Sequence, residues 1–315
     1  MRKRCLDMVH VLAKRDERVV FVGSDLSPGL LGEMKAEFPS RYYMEGVGEA
    51  NVVGMAAGMA MDGYMPYVNT IATFITRRCY EQVAVDLCLH DLPVRLIGNG
   101  GGFVYAPLGP THQATEDIAI MRALPNMTVV AVCDAEEMTR LMNATLDWPH
   151  PIYIRLGKGG DPVVSKAERG FEIGKAIDMV DGVTGASDVL LVTTGVATTQ
   201  ALAAAETLAK DGIRCRILHA HTVKPLDEDR IVDAAKQTRL VVTVEEASVL
   251  GGLGSAVLET LSERMMGKQP PVKRMGIPDK FSEYYGSQAK QMEAFGFDAK
   301  GIVATVRKLA GEFAK

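Results

Sequence analysis

Met44-Glu45-Gly46-Val47-Gly48-Glu49-Ala50-Asn51, running on into the apolar residues 52–61, is the stretch on which the reading of this chain turns. An aromatic approach, Arg41-Tyr42-Tyr43, meets two glycines and then a helical pattern with Gly54 and Gly58 four residues apart. That order predicts strand, sharp turn and helix. Gly46 and Gly48 allow the tight turn and a close approach by another group. Gly54 and Gly58 leave one helix face bare, so a neighbouring element is expected to pack there at short range. Glu49 falls in the first turn of a mostly apolar helix, where it should be buried and in need of a partner. One reading is a complement to the helix dipole, worth ~0.3–1 kcal/mol. The other is a catalytic acid. Local pattern alone favours the first.

The chain has 315 residues, 47% hydrophobic and 23% charged, enough for two ordinary domains with substantial cores. A net charge of −4 and the absence of any Lys/Arg run argue against a nucleic-acid groove. Met1-Arg2-Lys3-Arg4 is basic, but no signal-length apolar stretch follows it. No segment reaches the ~18 apolar residues of a membrane span. Cys5, Cys79, Cys88, Cys133 and Cys215 are scattered without paired spacing. They read as reduced packing residues of a cytoplasmic protein, with no metal site expected.

Along the chain, strands and helices alternate. Residues 1–15 carry a helical pattern; Arg18-Val19-Val20-Phe21-Val22-Gly23 is a buried-strand run ending at Ser24-Asp25. Asp25 lies where parallel sheets place ligand contacts, though a helix N-cap is the simpler reading. Strand 66–71, a helix over 73–89, strand 93–98, strand 128–132, helix 135–146 and strand 152–155 follow. Between them, Asn99-Gly100-Gly101-Gly102 opens a long loop through Pro110 to His112, of a length usually reserved for function. The β-α alternation predicts a mostly parallel, doubly wound α/β fold. Residues 157–174 lose periodicity, and the pattern restarts at strand 189–193. The expected division is 1–160, a linker over 161–175, and a second doubly wound domain over 176–315. Leu250-Gly251-Gly252-Leu253-Gly254 reads as a tight strand-to-helix turn, since no ribose-binding acid follows it at dinucleotide spacing.

Taken together, these motifs resemble the transketolase family of thiamine-diphosphate enzymes. Residues 46–54 resemble its pyrimidine-binding segment, Thr73-Phe74 through Tyr80-Glu81-Gln82 its aromatic segment, and Gly109-Pro110-Thr111-His112-Gln113 its histidine loop. His221-Thr222-Val223-Lys224-Pro225-Leu226-Asp227 and Val244-Glu245-Glu246 with the following glycines resemble its C-terminal domain. The resemblance implies that Glu49 hydrogen-bonds the cofactor's pyrimidine and drives the tautomer shift that activates it. A buried carboxyl, its pKa raised by desolvation, suits that work. It further implies that Phe74 stacks on the pyrimidine with Tyr80 nearby, and that His112 contacts the donor sugar and passes protons. Arg155 and Lys158 fall where the family binds substrate phosphate.

The departures are as informative. No GDG…N motif, which in the family holds Mg²⁺ and the diphosphate, accompanies any Asp-Gly pair here. With the chain beginning at Met1, the expectation is the C-terminal subunit of a split transketolase. Its N-terminal partner would supply that motif in an α₂β₂ assembly acting on sugar substrates. Arg77 stands where relatives often have a second aromatic. Leu108 replaces an aspartate that selects donor stereochemistry, and Asn99-Gly100-Gly101 replaces a stretch with a phosphate-binding histidine. A donor other than the usual pentose phosphate is therefore expected, with Gly100–Gly102 leaving room for a bulkier group. The rival readings are the β subunit of a 2-oxo acid dehydrogenase and a non-catalytic regulatory subunit. The presence of Glu49 weighs against the latter.

Overall fold

The computed structural model describes every residue except 25, 27, 28, 182–184, 284, 314 and 315, with the side chains of 312 and 313 also excluded. Two sheets organise the chain. The first is built from β1 (Val19–Gly23), β2 (Tyr42–Met44), β3 (Met65–Ile71), β4 (Arg95–Asn99), β5 (Thr128–Ala131) and β6 (Ile152–Leu156). The second contains β7 (Ile177–Asp178), β8 (Ser187–Thr193), β9 (Cys215–His219), β11 (Thr238–Ser248) and β12 (Val272–Ile277). One short strand, β10 (Thr222–Lys224), leaves the second half and joins the first sheet.

The strand orders are β10-β5-β6-β4-β3-β1-β2 and β12-β11-β8-β9-β7. All pairings are parallel except the edge strands β10 on β5 and β7 on β9. The inner strands are buried along their length, and runs such as Val19-Val20-Phe21-Val22 supply that double-sided burial. Helices cover both faces, as the α/β reading requires. The crossing of β10 is the first departure from two self-contained domains. Its three residues carry too little pattern to mark a strand, and their partner lies nearly a hundred residues earlier.

Two further expectations change. Gly54 and Gly58 seat no close neighbour: a side chain on Gly54 would reach only Asp86, at 3.8 Å, and one on Gly58 nothing within 4 Å. The expected helix over 73–89 is broken into helix Ala72–Thr76, a turn at 77–79, one helical turn Tyr80–Gln82 and a π-helical stretch Val83–Cys88. Side-chain donors compete with the backbone ladder at the break. The Thr76 hydroxyl donates to the Ala72 carbonyl at 2.7 Å, and the Cys79 thiol to those of Phe74 and Ile75. Beyond the expected elements lie helices Asp117–Ala123, Gln288–Ala294 and Ala299–Phe313. Among the described residues, no helix is long and apolar enough to cross a membrane.

Candidate active site

Glu49 is the first residue of helix Glu49–Met61, with Gly48 before it in a conformation that ends the loop. Its carboxylate is 2% exposed and carries two contacts. Oε2 accepts from Nη1 of Arg78 at 2.8 Å, and Oε1 lies 3.5 Å from the Thr70 hydroxyl. Thr70, near the carboxyl end of β3, in turn takes a 2.5 Å hydrogen bond from Ser24, just past β1. Beneath them Asn99, at the end of β4, donates to the Asn69 side chain and the Thr70 carbonyl at 2.7 and 2.8 Å. Glu49 is thus set over the carboxyl ends of three parallel strands, where such sheets place ligands.

The broken helix carries the rest. Phe74 is half-buried, with the Arg78 guanidinium 3.9 Å over its ring and the His112 imidazole edge-on at 5.2 Å. His112 pairs with the Thr111 hydroxyl at 2.9 Å. Partial burial, with Arg78's charge behind it, lowers the His112 pKa below its ordinary value, which favours the neutral ring at pH 7. Arg77 ion-pairs with Glu116 and donates to the Gln113 carbonyl, tying the aromatic segment to the histidine loop. A buried acid, an aromatic face and a neutral imidazole therefore converge. Beside them Gly46 and Gly48 border open space, with nothing within 4 Å of where a Cβ would stand.

The other expected site residues are placed differently. Tyr80 turns its hydroxyl to the Ile120 carbonyl at 2.8 Å and packs in part against the core. Leu108 ends a short turn of helix, Ala106–Leu108, and is 55% exposed beside the histidine loop. Lys158 is exposed after β6, in a stretch that runs beside the Met1 amino group. Asp25 lies outside the described residues.

Arg155 departs from the phosphate-binding expectation. It is buried, with Nε on Asp117 at 2.7 Å and Nη2 on the Glu246 and Ala114 carbonyls at 2.7 and 3.2 Å. A guanidinium so engaged holds the two halves together, with its donors already committed to the protein. The same interface fills the room expected at Gly100–Gly102. Side chains there would collide with Tyr105, Arg155 and Glu246. These glycines admit the protein's own side chains.

The glycine turn after β11 has a clear account as well. Glu245 reaches under it to accept from the backbone amides of Leu253 and Gly254 at 2.7 and 2.8 Å. A carboxylate already caps the N-terminus of helix Leu253–Met265, where a dinucleotide phosphate would have to sit. Gly252 is glycine because a Cβ would collide with that carboxylate. Burial pushes the Glu245 and Glu246 carboxyls up to about 7.

Sequence reasoning missed Arg78, Thr70 and Ser24. Their types are ordinary, and only the meeting of three strand ends and a broken helix gives them a role. Comparison with known proteins identifies the family. "Transketolase, pyrimidine binding domain" matches residues 1–160, and "Transketolase, C-terminal domain" residues 180–302. The chain is 35% identical to an apulose-4-phosphate transketolase subunit of Phocaeicola vulgatus, over 96% of this chain and 95% of that one. It is also 35% identical to the 6-deoxy-6-sulfo-D-fructose transketolase subunit SqwH of Clostridium sp. strain MSTE9, over 98% and 94%. A solved structure described as a split gene transketolase, inactive beta4 tetramer, superposes with a TM-score of 0.86 at 34% identity, covering 98% of this chain and 96% of that one. The chain belongs to the transketolase family, as a pyrimidine-binding domain followed by a C-terminal domain.

Proposed function

We propose that this chain is the C-terminal subunit of a heteromeric transketolase, transferring a two-carbon ketol unit between sugars with thiamine diphosphate. Family membership implies dependence on that cofactor. The observation that carries the residue assignment is the convergence of buried Glu49, the Phe74 face and neutral His112 at one strand-end cluster. The cluster fits an aminopyrimidine. It offers a buried carboxylate to a ring nitrogen, an aromatic face to the ring plane, and open space beside Gly46 and Gly48. When bound, thiamine diphosphate supplies the nucleophilic carbon that takes up the ketol unit.

The chain's own residues then have these tasks. Glu49 holds and shares a proton at the pyrimidine nitrogen, with Thr70 and Ser24 fixing its carboxylate. Phe74 orients the ring. His112, neutral and edge-on to Phe74, takes or returns a proton at a donor hydroxyl. Lys158, exposed and unhindered, is left as the cation for a substrate's anionic end, in place of Arg155. We assign the diphosphate and Mg²⁺ to an N-terminal partner subunit, with α₂β₂ as the assembly, and read 161–175 as the linker between the two domains. Two relatives are named as transketolase subunits, and the split-gene tetramer of like architecture is described as inactive.

The test is reconstitution. The chain alone should show no ketol transfer, and a partner carrying the diphosphate motif should restore it. Glu49→Gln in that complex should lower turnover by at least ~10²-fold with assembly intact, because the amide cannot share a proton. Robust transfer by the chain alone would overturn the subunit reading. A Gln variant that keeps most of its rate would overturn the assignment of Glu49.

A further inference from the structure

Arg78 makes two contacts that belong together. Its Nη1 donates to the Glu49 carboxylate at 2.8 Å, and its planar guanidinium lies 3.9 Å over the Phe74 ring. These are the two interactions an aminopyrimidine carrying Glu49's shared proton on its ring nitrogen would make, an N–H toward the Glu49 carboxylate and a flat face against Phe74. A guanidinium imitates the ring in that protonated state, being planar, cationic, rich in N–H donors and prone to stack on aromatics. Its neighbour Arg77 is committed elsewhere, to Glu116 and the Gln113 carbonyl. Glu49 is the one carboxylate with which Arg78 forms an ion pair among the described residues.

We propose that Arg78 is a resident stand-in for the cofactor's pyrimidine: it occupies Glu49 and Phe74 in the unloaded chain and swings out to admit the ring. The proposal rests on the cofactor reading above. Three features suit Arg78 to a movable part. Its side chain is 45% exposed while that of Glu49 is 2% exposed, so it has a direct path to solvent. It sits in the turn at 77–79, where the helix is already broken, so its movement disrupts no helical ladder. And each contact is of a weak class, a half-exposed ion pair and a cation–π contact, so the two together are displaceable. While Arg78 is in place the buried carboxylate has a partner; once it leaves, the incoming ring nitrogen provides one. Loading therefore exchanges one satisfied state of Glu49 for another and never leaves the acid bare.

The consequence is a handicap on affinity that a shorter side chain removes. In the complex assembled with the partner subunit, calorimetric titration of thiamine diphosphate with Mg²⁺ should give a Kd about tenfold lower for Arg78→Ala than for wild type, as the sum of two weak contacts allows. Arg78→Gln, which keeps a shorter polar side chain without charge or guanidinium fork, should show most of the same gain. In a Glu49→Gln background, where the guanidinium loses its ionic partner, the gain from Arg78→Ala should shrink severalfold. Unchanged or weaker binding by both Arg78 variants, with wild type binding normally, would overturn the stand-in and leave the cofactor reading intact. Failure of every form to bind thiamine diphosphate would overturn both.

Discussion

Two regions of this molecule bury charge, and they do it in opposite ways. At the seam between the halves, Arg155 is 6% exposed and Asp117 is 1% exposed. Asp117 accepts from Tyr153 and Arg155 at 2.7 Å each, and Arg155 also binds the Glu246 carbonyl from the second half. Also between the halves, the fully buried Glu137 accepts from His219 at 3.0 Å and from the Cys133 amide at 2.7 Å. At the candidate active site the buried acid Glu49 has one ionic partner, half in solvent. The seam gives each acid a buried partner from the chain itself, with one oxygen each of Asp117 and Glu137 left unbonded among the described residues, whereas the site leaves its acid to a half-exposed partner that can be exchanged. Burial alone does not mark a functional group; the replaceability of its partner does.

The seam should break hardest. Arg155→Leu strands Asp117 in a dry interior, and removing one member of a buried pair costs about 3–5 kcal/mol. Urea unfolding should show a loss of that size. The same measurement on Arg78→Ala should show a smaller loss, about 1–3 kcal/mol, because water can follow the half-exposed guanidinium's path to the Glu49 carboxylate. Equal losses at the two sites would erase the distinction.

The second way to sharpen it is pH. His221, from the seam, is buried with Nδ1 on Thr222 at 2.9 Å and stacked on Phe171, while Nε2 has no partner among the described residues. Glu137, His219 and Arg140 are the charged or titratable groups around it. Burial pushes its pKa down to about 4 from an ordinary 6.5. Between those values the unfolded chain takes up a proton that the folded chain refuses, so stability falls as pH drops through that window. The full effect is roughly 3 kcal/mol. Glu245 and Glu246, raised to about 7, act in the other direction, losing folded-state stability as pH rises toward 7. The difference between wild type and His221→Gln isolates the histidine. Its acid limb between pH 6.5 and 4 should flatten in the variant, and parallel pH profiles would contradict the assignment.

The same contrast separates what could be read in the sequence from what could not. The strand at 19–23, the helix beginning at Glu49 and the histidine loop were legible because each is written in consecutive residues. The glycine turn at 251–254 was read as a turn, but only the structure shows Glu245 beneath it. Arg155 at the end of a buried strand looked like a ligand contact, because its real partner, Asp117, opens a helix no local signal announced. Arg78 was passed over for the opposite reason. Inside the expected helix over 73–89 an arginine looks solvated, and its meeting with Glu49 depends on that helix being broken at 77–79. Contacts across elements were hidden wherever side-chain competition or strand crossing decided them.

Leu108 supplies the finest test, because it belongs to the replaceable side of the comparison. It is exposed on the histidine loop, and Tyr285 from the second half lies where a Cβ on the adjacent Gly109 would stand. A leucine accepts no hydrogen bond, so a substrate hydroxyl pressed against it loses its water partners at a cost of about 1–3 kcal/mol. That is roughly tenfold to a hundredfold in selectivity. The expected donor is therefore one that presents no such hydroxyl there, whether branched, deoxygenated or of different stereochemistry. In the reconstituted complex, Leu108→Asp should shift kcat/KM toward xylulose 5-phosphate by about tenfold relative to the native donor, with unfolding stability unchanged. Uniform loss across a panel of ketoses, with wild type already preferring xylulose 5-phosphate, would show that Leu108 does not select the donor. A change in stability of several kcal/mol would move Leu108 to the seam's side of the comparison, as a residue whose neighbours the fold cannot exchange.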